Sequence, residues 1–184
     1  MKQKITTVEL TMMALLVAIL CVSSYINIPL PISPVPITAQ LLVVYLIALL
    51  LRPKQAVLTV VVWLLLGVIG LPVFSGGRGG FGILAGPTGG YAIGYVILAG
   101  VVSYLCKKCK KEYEKFLILI VVGILLLYMI GVPWMKLTTG IGIQAAWLTG
   151  ALPYLPGDVL KAVAALFLAR PLQRAIGRLS VYGE

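Results

Sequence analysis

The sequence predicts an all-α integral membrane protein, a bundle of six transmembrane helices with both termini in the cytoplasm. Hydrophobic residues make up 61% of the 184 residues and charged residues only 11%, against about 45–50% and about 25% in soluble domains. The apolar residues fall into six runs, and the basic residues cluster at alternate ends of those runs. The length is that of one domain, so residues 1–184 are predicted to form a single transmembrane domain.

The first three apolar runs cover residues 8–25, 37–51 and 56–71. Each crossing of a bilayer needs about 20 apolar residues, or fewer where a helix ends inside the protein. A proline-rich segment at 29–36 separates the first two runs, and Arg-Pro-Lys at 52–54 ends the second. All three runs are therefore predicted to be spans.

The last three runs cover residues 88–105, 116–132 and 157–169. The lysine-rich loop CKKCKKEYEK lies between the fourth and fifth runs. The semi-polar stretch at 133–156, which begins and ends with proline, is expected to be a long connection rather than a helix.

The distribution of basic residues orients the bundle, because cytoplasmic loops carry an excess of Lys and Arg. With both termini inside, 12 of the 15 basic residues fall on the cytoplasmic side. These are Lys2, Lys4, Arg52, Lys54, Lys107, Lys108, Lys110, Lys111, Lys115, Arg170, Arg174 and Arg178. The net charge of +10 is thus explained by topology, and nucleic acid is not expected as a partner.

Three connections then lie on the outer side: the proline-rich segment, a glycine-rich segment at 72–87, and the stretch at 133–156. All three are long, apolar and nearly uncharged, whereas ordinary exposed loops are polar. Irregular backbone at membrane depth is tolerated where it lines a protected cavity. We therefore expect these segments to fold back over the bundle and cover an outward-facing pocket.

Enzymatic chemistry finds little support in the sequence. Histidine is absent, which removes the commonest general base and metal ligand. Cys106 and Cys109 form a lone CxxC, so neither a zinc site nor another metal site is expected. No P-loop motif occurs, so ATP hydrolysis by this chain is not expected either. The chain is predicted not to be an enzyme and to need no cofactor.

The motif PGDVLK at 156–161 contains the most informative charged residues. Asp158 is the only acid on the predicted outer half, and Lys161 is the only base inside a run. A charged side chain inside the apolar core of a bilayer costs at least about 2.5–3.5 kcal/mol. The i, i+3 spacing places both residues on one helix face, where they can pair. Two interpretations stay open: a polar clamp in a ligand cavity, or a structural ion pair that locks the bundle.

Other residues carry weaker signals. Thr38 and Gln40 could hydrogen-bond a polar ligand or satisfy the backbone at a helix end. Ala14 and Ala18 are small residues four apart, which allow close helix packing, either inside the bundle or against another membrane subunit. The aromatic residues that could line a pocket or form an interfacial belt are Trp63, Tyr91, Trp134 and Trp147.

Four motifs in order carry a resemblance to a known family: PVPITAQ at 34–40, GLPVF at 70–74, GPTGGY at 86–91 and PGDVLK at 156–161. Together they make the chain similar to the BioY family, the biotin-specific S components (substrate-binding membrane subunits) of energy-coupling factor (ECF) transporters. The resemblance implies a six-helix bundle in a prokaryotic plasma membrane, with biotin held near the outer face.

The resemblance also implies roles for particular residues. Asp158 and Lys161 would contact the cyclic urea of biotin, because a carboxylate accepts from its N–H groups and an ammonium donates to its carbonyl. Thr88 and Tyr91 belong to GPTGGY and are further binding candidates. Arg78 is an available cation for the biotin carboxylate.

Uptake by an S component implies further subunits. The Ala14-x-x-x-Ala18 face would dock on a transmembrane coupling subunit, which works with two ATPase subunits. A stand-alone, proton-coupled carrier of a small vitamin is the alternative, in which Asp158 and Lys161 would be the proton-coupling residues.

Overall fold

The computed structural model describes residues 6–181, and side chains among them up to residue 175. Lys2, Lys4 and the side chain of Arg178, three of the predicted cytoplasmic cations, lie outside the described part. The described chain is mainly helical, which confirms the all-α class. Its helices are α1 (Thr7–Ser23), α2 (Gln40–Leu50), α3 (Pro53–Val68), α4 (Phe81–Ala85), α5 (Gly89–Lys108), α6 (Glu112–Leu117), α7 (Leu125–Thr139), α8 (Ile143–Gly150) and α9 (Leu155–Val181).

Several helices have the length and composition that a bilayer requires. The helix α5 and the continuous helical stretch Glu112–Thr139 are long and apolar enough to span it, and α8 with α9, bent by 46°, would make a third span. The helices α1, α2 and α3 are apolar but shorter. Large apolar side chains such as Leu15 (53% exposed) and Leu125 (56% exposed) cover the outside of the bundle. The count of six spans and their orientation stay predictions.

The helix α2 forms the centre of the bundle. Nine of its eleven residues are buried, and it packs against both α5 and α9. A helix that is apolar all round belongs in an interior, and α2 has that composition. The helix α5 packs in turn on α3 and α7, so the polar residues of α2, α5, α7 and α9 can meet inside the bundle.

A π-helical segment, Ile118–Ile124, joins α6 to α7. Its hydrogen bonds skip one residue more than those of an α-helix, which disturbs the regular pairing of backbone carbonyls. The hydroxyl of Tyr45, on α2, donates to the carbonyl oxygen of Leu119 at 3.1 Å. A buried side chain from the central helix therefore contributes to the hydrogen bonding of this segment.

The prediction of a long connection at 133–156 is wrong. The helix α7 continues through Pro133 to Thr139, and α8 follows at Ile143. Proline removes one backbone donor, but in an apolar environment no water competes for the other backbone groups, so the helix continues. The break falls at Gly140, whose left-handed conformation (φ 73°) ends α7.

Two other predicted boundaries also differ. The second run was predicted to begin at residue 37, but residues 37–38 form a strand and α2 begins at Gln40. The last run was predicted to end at residue 169, but α9 continues through Pro171 to Val181. Hydrophobicity marks the apolar part of a helix, and α9 extends beyond that part as a more polar, basic segment.

The proline-rich and glycine-rich segments lie together at one end of the bundle. Strands β1 (Asn27–Ile28) and β2 (Ile37–Thr38) pair antiparallel, with Asn27 opposite Thr38. The amide of Gly76 donates to the carbonyl of Ser24 at 2.9 Å, which ties the glycine-rich segment to the end of α1. These segments position the residues that close the site described next.

Candidate functional site

A cavity that is partly open to solvent lies beneath the β1–β2 hairpin and the glycine-rich segment. The residues that line it are Val35, Pro36, Ile37, Thr38, Gln40, Leu41, Trp63, Phe74, Ser75, Ile83, Thr88, Tyr91, Ala92, Tyr95, Leu127, Tyr128, Gly150, Tyr154, Asp158 and Lys161. All the predicted substrate-binding residues except Arg78 are therefore brought together in one cavity.

The charged pair predicted from the i, i+3 spacing is present in the structure. Lys161 Nζ lies 2.8 Å from Asp158 Oδ1, and the two side chains are 16% and 6% exposed. Both residues stand in the first turns of α9, and the Asp158 amide donates to the carbonyl of Tyr154 at 2.8 Å. A buried pair of this kind is stabilised when further hydrogen bonds satisfy its remaining atoms.

Tyr128 supplies one of those further hydrogen bonds, and it was not among the residues predicted from the sequence. Its hydroxyl, from α7, donates to Asp158 Oδ2 at 2.7 Å. Both carboxylate oxygens of Asp158 are thus engaged, one by an ammonium and one by a phenol. One feature of the sequence could have indicated this contact. Tyr128 lies inside an apolar run, and a buried phenol needs a polar partner.

Gln40 braces the glycine-rich segment at the cavity wall. Its Nε2 donates to the carbonyl of Val73 at 3.2 Å, and its Oε1 accepts from Ser75 Oγ at 2.9 Å. Trp63 Nε1 donates to the same Val73 carbonyl at 3.0 Å. Gln40 therefore lines the cavity and also holds the segment that covers it.

Tyrosine hydroxyls hold other parts of the cavity wall together. Tyr91 donates to the carbonyl of Gly150 at 2.7 Å, which connects α5 to the end of α8. Tyr154 donates to the carbonyl of Val35 in the proline-rich segment. Thr38 and Thr88 line the cavity beside them. The segments around the site are thus attached to the helices by specific hydrogen bonds.

Arg78 is not brought into this cavity. Its side chain is exposed, its Nε donates to the carbonyl of Ser75 at 3.1 Å, and it lines a neighbouring pocket. Pro36 and Ser75 line both spaces. Arg78 therefore stands beside the covered site, separated from it by a shared wall.

Ala14 and Ala18 point away from the bundle. Both are exposed, whereas Met13, Leu16 and Leu20 on the opposite face of α1 are buried. Packing inside the bundle therefore does not explain why residues 14 and 18 are both small.

The four aromatic candidates separate into different places. Trp63 and Tyr91 line the cavity. Trp134 Nε1 donates to the carbonyl of Gly86 at 3.1 Å, and Trp147 lines a different groove with Leu148 and Leu152. Among the described residues, no group of three or more His, Cys, Asp or Glu side chains could hold a metal ion.

An apolar helical bundle with a covered cavity and a buried charged pair defines a membrane protein that binds a small, partly polar molecule. Comparison with known proteins narrows this class. The model of the BioY family matches residues 1–178. The chain is 34% identical to "Biotin transporter BioY2" of Lactococcus lactis subsp. cremoris, with 95% of this chain and 94% of that protein covered.

Two further comparisons agree with that match. The chain is 40% identical to the "Probable biotin transporter BioY" of Bacillus subtilis, over 78% of each protein. It is similar to a crystal structure of the S-component for biotin from an ECF-type ABC transporter, with a TM-score of 0.85, 28% identity and 90% of each chain covered. The chain belongs to the BioY family and is a transporter protein rather than an enzyme.

Proposed function

We propose that this protein captures biotin at the outer face of a prokaryotic plasma membrane, as a single-domain S component with six spans and both termini in the cytoplasm. The observation that carries the proposal is the buried Asp158–Lys161 pair on the wall of a covered cavity, in a member of the BioY family. Transport would be powered by a coupling subunit with two ATPase subunits, because the chain contains no P-loop.

The chemistry of the cavity suits the bicyclic head of biotin. The carboxylate of Asp158 would accept hydrogen bonds from the urea N–H groups, and the ammonium of Lys161 would donate to the urea carbonyl. Tyr128 would keep its hydrogen bond to the carboxylate of Asp158 while Asp158 and Lys161 turn from each other to the urea group of biotin. Trp63 and Phe74, packed edge to face with ring centroids 5.3 Å apart, would supply an apolar wall for the thioether ring.

The tail of biotin ends in a carboxylate, which needs a cation or several N–H donors. Arg78 is the candidate, because its pocket shares Pro36 and Ser75 with the cavity. A tail that extended past this shared wall would bring the carboxylate to the guanidinium of Arg78.

Calorimetry of biotin binding to the purified protein tests the proposal, with Asp158→Asn as the key variant. The amide keeps the shape of the side chain but removes its charge, and it leaves Lys161 without an anionic partner. We expect affinity to fall about 100-fold, as is typical for the loss of hydrogen bonds to a buried charged group. Glu114→Gln removes a carboxylate far from the cavity and should bind as the unmodified protein does.

Absence of biotin binding by the well-folded, unmodified protein would refute the substrate. Equal affinity of Asp158→Asn and Glu114→Gln would instead refute the site while leaving the substrate in place.

The stand-alone carrier remains the second candidate, because Tyr128, Asp158 and Lys161 form a connected chain of buried titratable groups. Uptake of labelled biotin into vesicles that contain this chain alone distinguishes the two. An S component should accumulate no biotin when an inward proton gradient is imposed, whereas a proton-coupled carrier should accumulate it and lose accumulation on addition of an uncoupler.

A further inference from the structure

An open apolar groove lies between α6 and α9, remote from the biotin cavity. Arg170, at one end of the groove, is twelve residues beyond Asp158 on α9, which corresponds to about 18 Å of helix. The groove walls are Tyr113 and Phe116 on one side and Val163, Leu166 and Phe167 on the other. No part of the proposed biotin mechanism uses this groove.

Arg170 lines the end of the groove, and Lys111, directly before α6, lies close to the ring of Tyr113 on the groove wall. The guanidinium carbon of Arg170 lies 5.9 Å from the ring centroid of Phe167. Lys111 Nζ lies 5.5 Å from the ring centroid of Tyr113. A cation over an aromatic face is held in place by the ring quadrupole, so both charges are positioned where the apolar surface begins.

Positive charge dominates the surroundings of this end. The loop CKKCKKEYEK at 106–115 has five lysines against two glutamates. One glutamate, Glu112, lies 2.8 Å from Arg170 Nη2 and accepts from Arg170 Nε at 2.9 Å. The other, Glu114, accepts from the backbone amide of Lys111 at 3.3 Å. The two carboxylates leave an excess of positive charge beside the groove.

The combination of an apolar groove and cations beside it matches one kind of occupant. A free phosphate would leave the groove uncovered, and a neutral lipid would not use the cations. Clusters of Lys and Arg beside a membrane helix attract anionic headgroups. We infer that the groove binds an anionic glycerophospholipid, with an acyl chain between α6 and α9 and its phosphate at Lys111 and Arg170.

Native mass spectrometry of the full-length protein in nonionic detergent tests this site, because it counts the lipids that remain bound. The probes are dioleoyl-phosphatidylglycerol and dioleoyl-phosphatidylcholine, which have the same acyl chains and differ in net charge. We expect phosphatidylglycerol to be retained at least about tenfold more strongly. Equal retention of the two lipids would overturn the inference.

Matched variants locate the lipid. The double variant Lys111→Gln/Arg170→Gln should lose the preference for phosphatidylglycerol, whereas Lys54→Gln/Lys136→Gln, which removes the same charge elsewhere, should keep it. Glu112→Gln should strengthen retention, because it frees Arg170 from its carboxylate. Equal loss of preference in the two double variants would show that only net charge matters and would overturn the site.

Two further readouts distinguish a lipid site from a protein contact. Leu166→Trp, which fills the groove, should release phosphatidylglycerol even with both cations present, and full retention would overturn the inference. Biotin affinity, which does not depend on this groove, reports that each variant is folded. If Lys111→Gln/Arg170→Gln lost assembly with a coupling module but kept its lipid, the surface would be a protein contact and the lipid site would be wrong.

Discussion

At the scale of single residues, the site depends on how one carboxylate is held. Asp158 contacts Lys161 on its own helix and Tyr128 on α7. The contact with Lys161 was predictable, because side chains three residues apart on a helix are neighbours. The contact with Tyr128 was not, because it joins residues thirty positions apart and depends on how α7 and α9 pack.

Tyr128→Phe should weaken biotin binding about tenfold, because it removes a hydrogen bond to a charged group and leaves one carboxylate oxygen unpaired. Calorimetry measures the effect. Tyr45→Phe is the matched control, since Tyr45 is also buried but donates to Leu119 outside the cavity. If both variants bound biotin equally well, Tyr128 would have no part in orienting Asp158.

The role of Arg78 can be tested with a changed ligand as well as a changed residue. Arg78→Gln should weaken binding of biotin about tenfold, as for loss of a charge-assisted hydrogen bond. Biotin amide, whose tail is neutral, should bind the variant and the unmodified protein equally. A similar loss for both ligands would mean that Arg78 acts on the loop rather than on the carboxylate.

At the scale of the element, the glycine-rich segment shows why covering segments are hard to predict. Its sequence predicts only that it folds back over the bundle, whereas the structure shows the form of that cover, with a short helix, α4, and hydrogen bonds from Gln40 and Trp63. The stretch at 133–156 shows the opposite difficulty, because two prolines suggest a loop where α7 and α8 form. In both cases contacts with the rest of the bundle decide the conformation.

Gly89 should be intolerant of a side chain, since a Cβ there would lie 1.7 Å from the carbonyl oxygen of Leu84. Gly89→Ala should separate α4 from α5, lower the melting temperature and weaken biotin binding. In α4, Gly82→Ala meets no atom within 4 Å and should be neutral or slightly stabilising. Differential scanning fluorimetry compares the two variants, and equal melting temperatures would contradict this explanation.

At the scale of the whole molecule, the composition and the order of apolar and basic segments predicted most of the architecture. The six apolar runs, the basic connections and the charged motif define a helical membrane bundle with a polar site. Helix lengths were harder to predict, because hydrophobicity does not mark where α9 ends, well beyond its apolar run. The cover over the cavity was predicted only as a tendency of apolar loops to fold inward.

Assembly with a coupling module should depend on the exposed face of α1. Ala14→Trp and Ala18→Trp enlarge small residues on that face and should prevent co-purification with a coupling subunit, because close helix approach needs small side chains. Leu125→Trp enlarges an exposed residue on α7 and should assemble normally. Biotin binding should survive in all three variants, and assembly of the α1 variants would disprove the docking role.

The orientation of the bundle can be measured with the native thiol Cys109. In a variant without Cys21 and Cys106, an impermeant maleimide should label Cys109 only from the cytoplasmic side, whereas Lys136→Cys should be labelled from outside. Desolvation and the neighbouring Glu114 raise the pKa of Cys109, so its thiolate fraction and its labelling rate should keep increasing as the pH rises above about 8. Labelling of Cys109 from outside would show that the topology is the inverse of the predicted one.

The π-helical segment Ile118–Ile124 has a consequence for the length of the chain. A π turn holds one residue more than an α turn, so losing one residue there could return the stretch to regular α-helix without rotating its two flanks. The same loss within α7 would turn Tyr128 away from Asp158 by roughly a quarter of a turn or more. This helix can therefore change its length at one place and still present the same residue to the binding site.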